Sequence, residues 1–435
     1  MTRALALLLA LPLCAQVAPD SRQLNIDSFE KVWTTIRDKH WQRNPGGLDW
    51  QAIHEEFRPR IEAARNIDEV RAILKEMLGR LHQTHFGILP ATVYEEVGPL
   101  ANAASTDAGL SDAILGDGSA GIELRILDEQ PVVTRIEPGS PAERAGVKPG
   151  WTVLSANGFN MHAAARALMA DTSIPEAMAT RALLTRISGP IGAKMQLTFD
   201  NGSGEELHKE LILGAPRGDV SDFGNLPSER VWFEFRKIDN AGYIRFNYFL
   251  DLPRVIPKFG DAIQACRDCS GLIVDLRGNP GGIGAMAMGM AGYLLDKQGQ
   301  RLGTMFMREA EIKFVVNPRF PGFEGPVAIL VDACSASTSE IFAGGLKDLG
   351  RARVFGTKSE AAALPSVIER LPNGDGFQYA VGNYISEGGR PLEGEGVTPD
   401  VEVKLTRAAL LAGRDPVIDA AMNWIKGAGA AKQAK

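Results

Sequence analysis

Cysteine is scarce in this chain, with four in 435 residues. Only Cys266 and Cys269 stand close together, as CRDC; Cys14 sits near the N-terminus and Cys334 just ahead of a serine cluster. One C-x-x-C with no second pair and no histidine at zinc spacing gives no structural metal site. It reads as two thiols at a helix end, which an oxidising compartment would let close into a small disulfide. Histidine is thin too, and none follows His208. Chemistry in the second half that needs an imidazole must borrow it from the first half. Long basic runs are absent and the formal net charge is −6, which argues against nucleic acid or an anionic membrane surface as partner. Beyond the N-terminus no apolar run is long enough to cross a bilayer.

What is present begins with MTR, ALALLLALPL and LCA. A short basic start, an apolar stretch of about ten residues and a small-residue site predict a signal peptide, residues 1–15, cleaved after Ala15. The expected location is therefore periplasmic or extracellular. Cys14 keeps a lipoprotein reading open, and with it the only expected membrane attachment, although Leu13 is bulky where a small residue is wanted. With 435 residues, 45% of them hydrophobic and 23% charged, the rest has material for two or three soluble domains.

Residues 24–100 predict helices, with Phe29, Val32, Trp33 and Ile36 on one stripe and Val70, Ile73, Leu74, Met77, Leu78 and Leu81 on another. Asn66 and Glu69 fit a capping box. The chain then turns through HQTHFG, and 101–112 is a small, polar linker. From 113 to 214 the pattern becomes short strands, a Ser140-Pro141 helix start, a helical stretch at 161–187 and a hairpin around Asn201-Gly202. GAPRGDVSDFGNLPSE links this stretch to residues 222–425, where strands and helices alternate. GLIVDLRG and VAILVD are near-continuously apolar, as strands of a covered, largely parallel sheet are.

Two motifs in that last region carry chemistry. CSASTSEIFAGG follows VAILVD, so a strand, a tight turn and a helix start place Ser337 at the top of a sheet with free amides beside it. Such an elbow suits a nucleophile, and the amide of Thr338 would face an oxyanion. On this segment alone, however, Ser337 to Glu340 is an S-x-x-E capping box, worth about 1 kcal/mol with no catalysis at all. RGNPGG at 277–282 is a turn whose Gly281 or Gly282 can expose a second oxyanion donor.

Taken together, GYIRFNYF, GLIVDLRGNPGG, SASTSEIFAGGLKD and LEGEGVTPDV, in this order, resemble the tail-specific or C-terminal-processing serine proteases. PGSPAERAGVKPGWTVLSANG ahead of them resembles a PDZ domain. The resemblance implies an α/β multidomain protein: a helical N-terminal segment, a PDZ-like β-domain and a ClpP/crotonase-like core. It implies cleavage of peptide bonds by Ser337, with no cofactor and no metal. It also implies a peptide or protein substrate with an exposed C-terminus, received by Gly121, Ile122, Glu123 and Leu124.

Many relatives pair the serine with a lysine, but the matching position here is Ala362, and Lys358 lies four residues earlier. LHQTHFG instead resembles the corresponding segment of the tricorn-like branch. There a histidine from the N-terminal side is the base and a late glutamate orients it. By position these are His85, Thr84 and Glu393, with Glu395 as an alternative, while His82 is structural. A catalytically inactive relative acting as a peptide- or lipid-binding module, and acyl chemistry on a thioester, are the other readings.

Overall fold

The structure, a computed structural model, describes residues 21–91, 117–171, 174–221 and 229–433. The leader 1–15, Cys14 and the linker 101–112 lie outside them.

The first described segment is helical: Ser21–Lys39, Trp50–Ala63 and Ile67–Gly79. Phe29, Val32, Trp33 and Ile36 are buried on one stripe against Phe57, Leu74 and Met77. Two tryptophans lock the first pair of helices. Trp33 Nε1 donates to the Trp50 carbonyl at 2.8 Å and Trp50 Nε1 to that of Trp33 at 3.0 Å. The expected capping box is only half made. Asn66 Oδ1 accepts from the Glu69 N–H at 2.9 Å, but Glu69 turns its carboxylate to the Arg65 N–H and guanidinium. This helical cluster borrows Leu371, Phe377 and Tyr379 from far along the chain. The strand Gly87–Leu89 also pairs antiparallel with Gly376–Ala380, Gly87 opposite Gln378. Whatever precedes Gly87 is thereby pinned to the C-terminal half.

Residues 117–214 form a β-unit with its own core. Strands Ile122–Leu127, Gln130–Ile136, Thr152–Ala156, Lys194–Asp200 and Glu206–Ile212 lie side by side in that order, closing over Leu124, Val133, Val153 and Phe199. Ser140 caps the short helix Pro141–Arg144, accepting from the Glu143 N–H at 3.2 Å. The helical stretch expected at 161–187 is two helices, Met161–Ala170 and Glu176–Thr185. Pro175, extended at ψ 144°, supplies the break.

The last unit is a six-stranded sheet in the order Phe233–Ile238, Ala241–Phe246, Gly271–Asp275, Val327–Val331, Ala352–Gly356, Val401–Glu402. Only the first pair is antiparallel. Successive strand residues face opposite sides. Val327, Ile329 and Val331 join a core with Phe259, Met290 and Phe342, whereas Ala328 and Leu330 join Val417, Ala421 and Ile425 of the helix Pro416–Gln433. Both faces are covered, which is why the strands read as continuous apolar runs.

Candidate active site

Val327–Val331 runs into Asp332, a turn, and the helix Thr338–Asp348. Two of the three serines in that turn are structural. Ser335 is fully buried, accepts from the Asp332 N–H at 3.0 Å and donates to the Leu276 carbonyl at 2.8 Å. Ser339, equally buried, donates to the Asn279 carbonyl at 2.9 Å. Ser337 is different. It is partly exposed and sits at φ 52°, ψ −117°, a strained backbone for a residue with a Cβ.

The Glu340 half of the S-x-x-E box is made, its carboxylate accepting from the Ser337 N–H. The strain is held from outside. The Ser337 N–H reaches Glu340 Oε2 and the Ala362 carbonyl, both at 2.9 Å, and its carbonyl accepts from the Glu340 and Ile341 amides.

Opposite lies the turn 277–282. A Cβ on Gly281 would stand 2.8 Å from both Ser337 Cβ and Thr338 N, so only glycine allows this approach. Its N–H is spent on Asn279 Oδ1 at 2.9 Å, which removes Gly281 from the expected oxyanion donors. Gly282 and Thr338 remain: their N–H groups make no hydrogen bond among the described residues, and Thr338 Oγ1 donates to the Gly282 carbonyl at 2.6 Å, fastening the two together. Two free amides at a helix start favour negative charge between them.

On the other side, Thr84 N–H donates to Glu393 Oε1 at 2.8 Å and Thr84 Oγ1–H to Glu393 Oε2 at 3.0 Å. Thr84 Oγ1 also contacts His85 Nδ1. Since the hydroxyl proton goes to the carboxylate, Oγ1 accepts from Nδ1–H, and the network leaves Nε2 as the basic nitrogen. His85 is 8% exposed, at φ 64°. Glu393 Oε2 also accepts from Ala363 N–H at 3.1 Å, next to the Ala362 carbonyl that holds Ser337. One hydrogen-bonded chain thus joins the histidine loop to the serine backbone. Glu395 is exposed with no side-chain hydrogen bond among the described residues, and His82 and Lys358 are exposed.

Residues 240–403 match the profile of peptidase family S41, and residues 27–79 match the tricorn protease C1 domain. In these two stretches the chain is similar to that family and to that domain. The chain is 26% identical over 302 residues to a probable CtpA-like serine protease of Staphylococcus aureus (strain COL), covering 69% of this chain and 54% of that protein. To the protein of the same name in Staphylococcus haemolyticus (strain JCSC1435) it is 27% identical over 290 residues, 65% of this chain and 52% of that one. It therefore spans about half the length of these curated relatives. In fold it is similar to the photosystem II D1 C-terminal processing protease, at 17% identity, 89% and 94% coverage and a TM-score of 0.56. Mature CPAF is similar too, at 13% identity, 90% and 94% coverage and a TM-score of 0.58.

Within the stretch 240–403 Glu340 is fully buried and holds the turn that carries Ser337. It accepts from Ser337 N–H, from Ala361 N–H at 2.9 Å and from Ala362 N–H at 3.2 Å, and it meets Ser359 Oγ at 2.5 Å. Burial outweighs these donors and pushes its carboxyl from the ordinary 4.5 up to about 8. A raised carboxyl leaves the folded chain protonated where the unfolded chain is ionised. Glu340 therefore costs stability progressively as pH rises from about 4.5 to about 8, with a slope on the order of 1 kcal/mol per pH unit. Glu340→Gln is expected to remove that slope, read as the difference between wild-type and variant denaturant midpoints across the interval.

A second support escaped the sequence reading. His40, fully buried at the end of the first helix, meets Gln83 Oε1 through Nε2 at 2.9 Å, while Nδ1 accepts from Gln42 N–H at 3.0 Å. Its ring stacks on Trp41 and Phe86. This anchors the loop between two left-handed residues, His82 and His85. Gln83→Ala is expected to leave a buried N–H unpaired, a cost of roughly 1–3 kcal/mol, and to lower kcat about tenfold. KM should change little, because the loop, not the substrate, is loosened; steady-state kinetics on a peptide substrate checks both.

The four residues expected to receive a peptide end are already engaged. Gly121, at φ 74°, gives its N–H to Ser119 Oγ at 2.9 Å and its carbonyl to Glu137 N–H at 2.9 Å. Ile122 and Leu124 are buried in the β-unit, and the Leu124 carbonyl accepts from the Arg125 guanidinium at 2.8 Å. Glu123 turns the other way and pairs with Arg245 of the six-stranded sheet at 2.7 Å. Ile122–Leu127 is nevertheless the edge strand of its sheet, paired only with Gln130–Ile136. Cys266 and Cys269 form a disulfide and Cys334 is free and buried.

Proposed function

We propose that this chain is an exported serine peptidase that cleaves peptide bonds through an acyl-enzyme, with Ser337 as nucleophile, His85 as base and Glu393 acting through Thr84. The observation that carries it is the division of labour among the serines. Ser335 and Ser339 have spent their hydroxyls, while Ser337 stands strained beside two free amides. In this reading His85 Nε2 takes the Ser337 proton as Oγ attacks the scissile carbonyl. The oxyanion lies on the Gly282 and Thr338 amides. His85 gives the proton to the leaving amine, and water then releases the acyl group by the same route.

Residues 24–100 would form the helical domain bringing the base, 113–214 a PDZ-like domain and 222–425 the protease core. The PDZ-like domain would present substrate C-termini, once Arg125 releases the Leu124 carbonyl for an added strand. The relatives' names are those of serine proteases, which gives an inactive binding module no support. Export rests on the leader. Among the described residues no helix is long and apolar enough to cross a membrane. The test is labelling with a fluorophosphonate. The wild-type protein should be labelled at Ser337 and Ser337→Ala should not; labelling that persists in Ser337→Ala overturns the assignment.

A further inference from the structure

Behind the turn that carries Ser337, on the outer face of the hairpin 122–136, lies a cavity of about 510 Å³ shared with the six-stranded sheet and the segment 405–418. Its size is that of a small-molecule site. The floor is electrically closed: Arg245 pairs with Glu123, Arg277 with Asp275 and Asp415, and Arg125 with Asp332 at 2.7 Å.

The mouth is not closed. Arg135 of the β-unit and Arg236 of the sheet both converge on Glu234, and Arg217 adds a third guanidinium to the same carboxylate at 3.0 Å. Lys148, exposed at the rim, has no ion pair among the described residues. Three arginines sharing one carboxylate, with a lysine alongside, leave positive charge in excess where the cavity opens. The facing wall offers the aliphatic Leu405, Leu410, Leu411 and Ile418, with Leu411 41% exposed, while the charges it carries, Arg414 and Asp415, are paired with Asp419 and Arg277.

A cationic rim against an aliphatic wall selects one chemistry, a single negative head on an apolar body. We propose that this cavity binds a small amphipathic carboxylate, its head between Arg135, Arg236 and Lys148 and its body on the leucine wall. Such an occupant bridges the β-unit and the six-stranded sheet at a place where Arg125 already touches the turn that carries Ser337. The site is separate from the chemistry, so it stands whether or not the peptidase reading does.

The test is calorimetric titration of the full chain with octanoate, with octanol, octylamine and inorganic phosphate as controls. Saturable octanoate binding is expected, weakened about tenfold or more in Lys148→Gln/Arg236→Gln, since each substitution removes a charged hydrogen-bond donor. Both positions are at the rim, and far-UV circular dichroism verifies that the variant folds. The proposal is overturned by any of three results: octanoate fails to saturate, the variant binds it unchanged, or octanol or phosphate binds as tightly as octanoate.

Discussion

Ser337→Ala and His85→Ala are each expected to lower kcat/KM for a peptide substrate by on the order of 10⁵- to 10⁶-fold, and the double variant by no more than either alone. The reason is that the two groups act as one device. A serine hydroxyl without a base is a weak nucleophile, and a base without the hydroxyl has nothing to activate. The residue left over is what the Gly282 and Thr338 amides and substrate binding supply on their own, roughly 10³- to 10⁴-fold over water in comparable sites. Lys358→Ala is the control. Lys358 is exposed, and its loss should leave the rate unchanged. Stopped-assay kinetics on purified variants decide the matter. If His85→Ala retained more than a hundredth of wild-type kcat/KM, the imidazole would not be the base, whatever Ser337→Ala did.

Ser337 also marks the boundary between what is written locally and what the fold decides. The strand, turn and helix around it follow from an apolar run, small residues and an S-x-x-E start, all within a few positions. Which serine is free does not. Ser335 is consumed by a carbonyl at Leu276 and Ser339 by Asn279, partners that only the sheet order brings near. The same holds for the glycines. RGNPGG marks a turn that exposes amides, but Asn279 folds its own side chain back onto Gly281, so of the two glycines it is Gly282 whose N–H makes no hydrogen bond among the described residues.

LEGEGVTPD places Glu393 by resemblance and leaves Glu395 as an alternative. Contact with Thr84, far back in the chain, separates them. Helical stripes and the two-faced apolar strands depend on periods of 3.6 and 2, so they are legible, whereas the sequence reading misses the division of 161–187 into two helices ahead of Pro175. The His40–Gln83 anchor is legible only in part: a histidine next to a tryptophan at a helix end hints at a stacked, buried ring, but not at which loop it holds.

Thr84→Val tests the relay itself, and is expected to lower kcat about 10²-fold while Thr84→Ser stays within a fewfold of wild type. Valine has nearly the shape of threonine but no hydroxyl. His85 Nδ1–H then loses its acceptor, Glu393 loses one of its donors, and the ring can turn or carry its proton on the wrong nitrogen. Serine restores both hydrogen bonds.

The effect should fall short of removing the base, for two reasons. Thr84 is exposed, so water can partly replace its hydroxyl, and its backbone N–H still holds Glu393 at 2.8 Å. A substitution that only loosened the loop would act on both variants alike and leave the pH dependence in place. Loss of the relay should also lower the acidic limb of the kcat/KM–pH profile in Thr84→Val, because the carboxylate no longer stabilises the imidazolium through the hydroxyl. With the imidazolium less favoured, the histidine loses its proton at lower pH. An unshifted limb with a lowered plateau would assign Thr84 to packing; a limb displaced downward in Thr84→Val and restored in Thr84→Ser assigns it to the proton path.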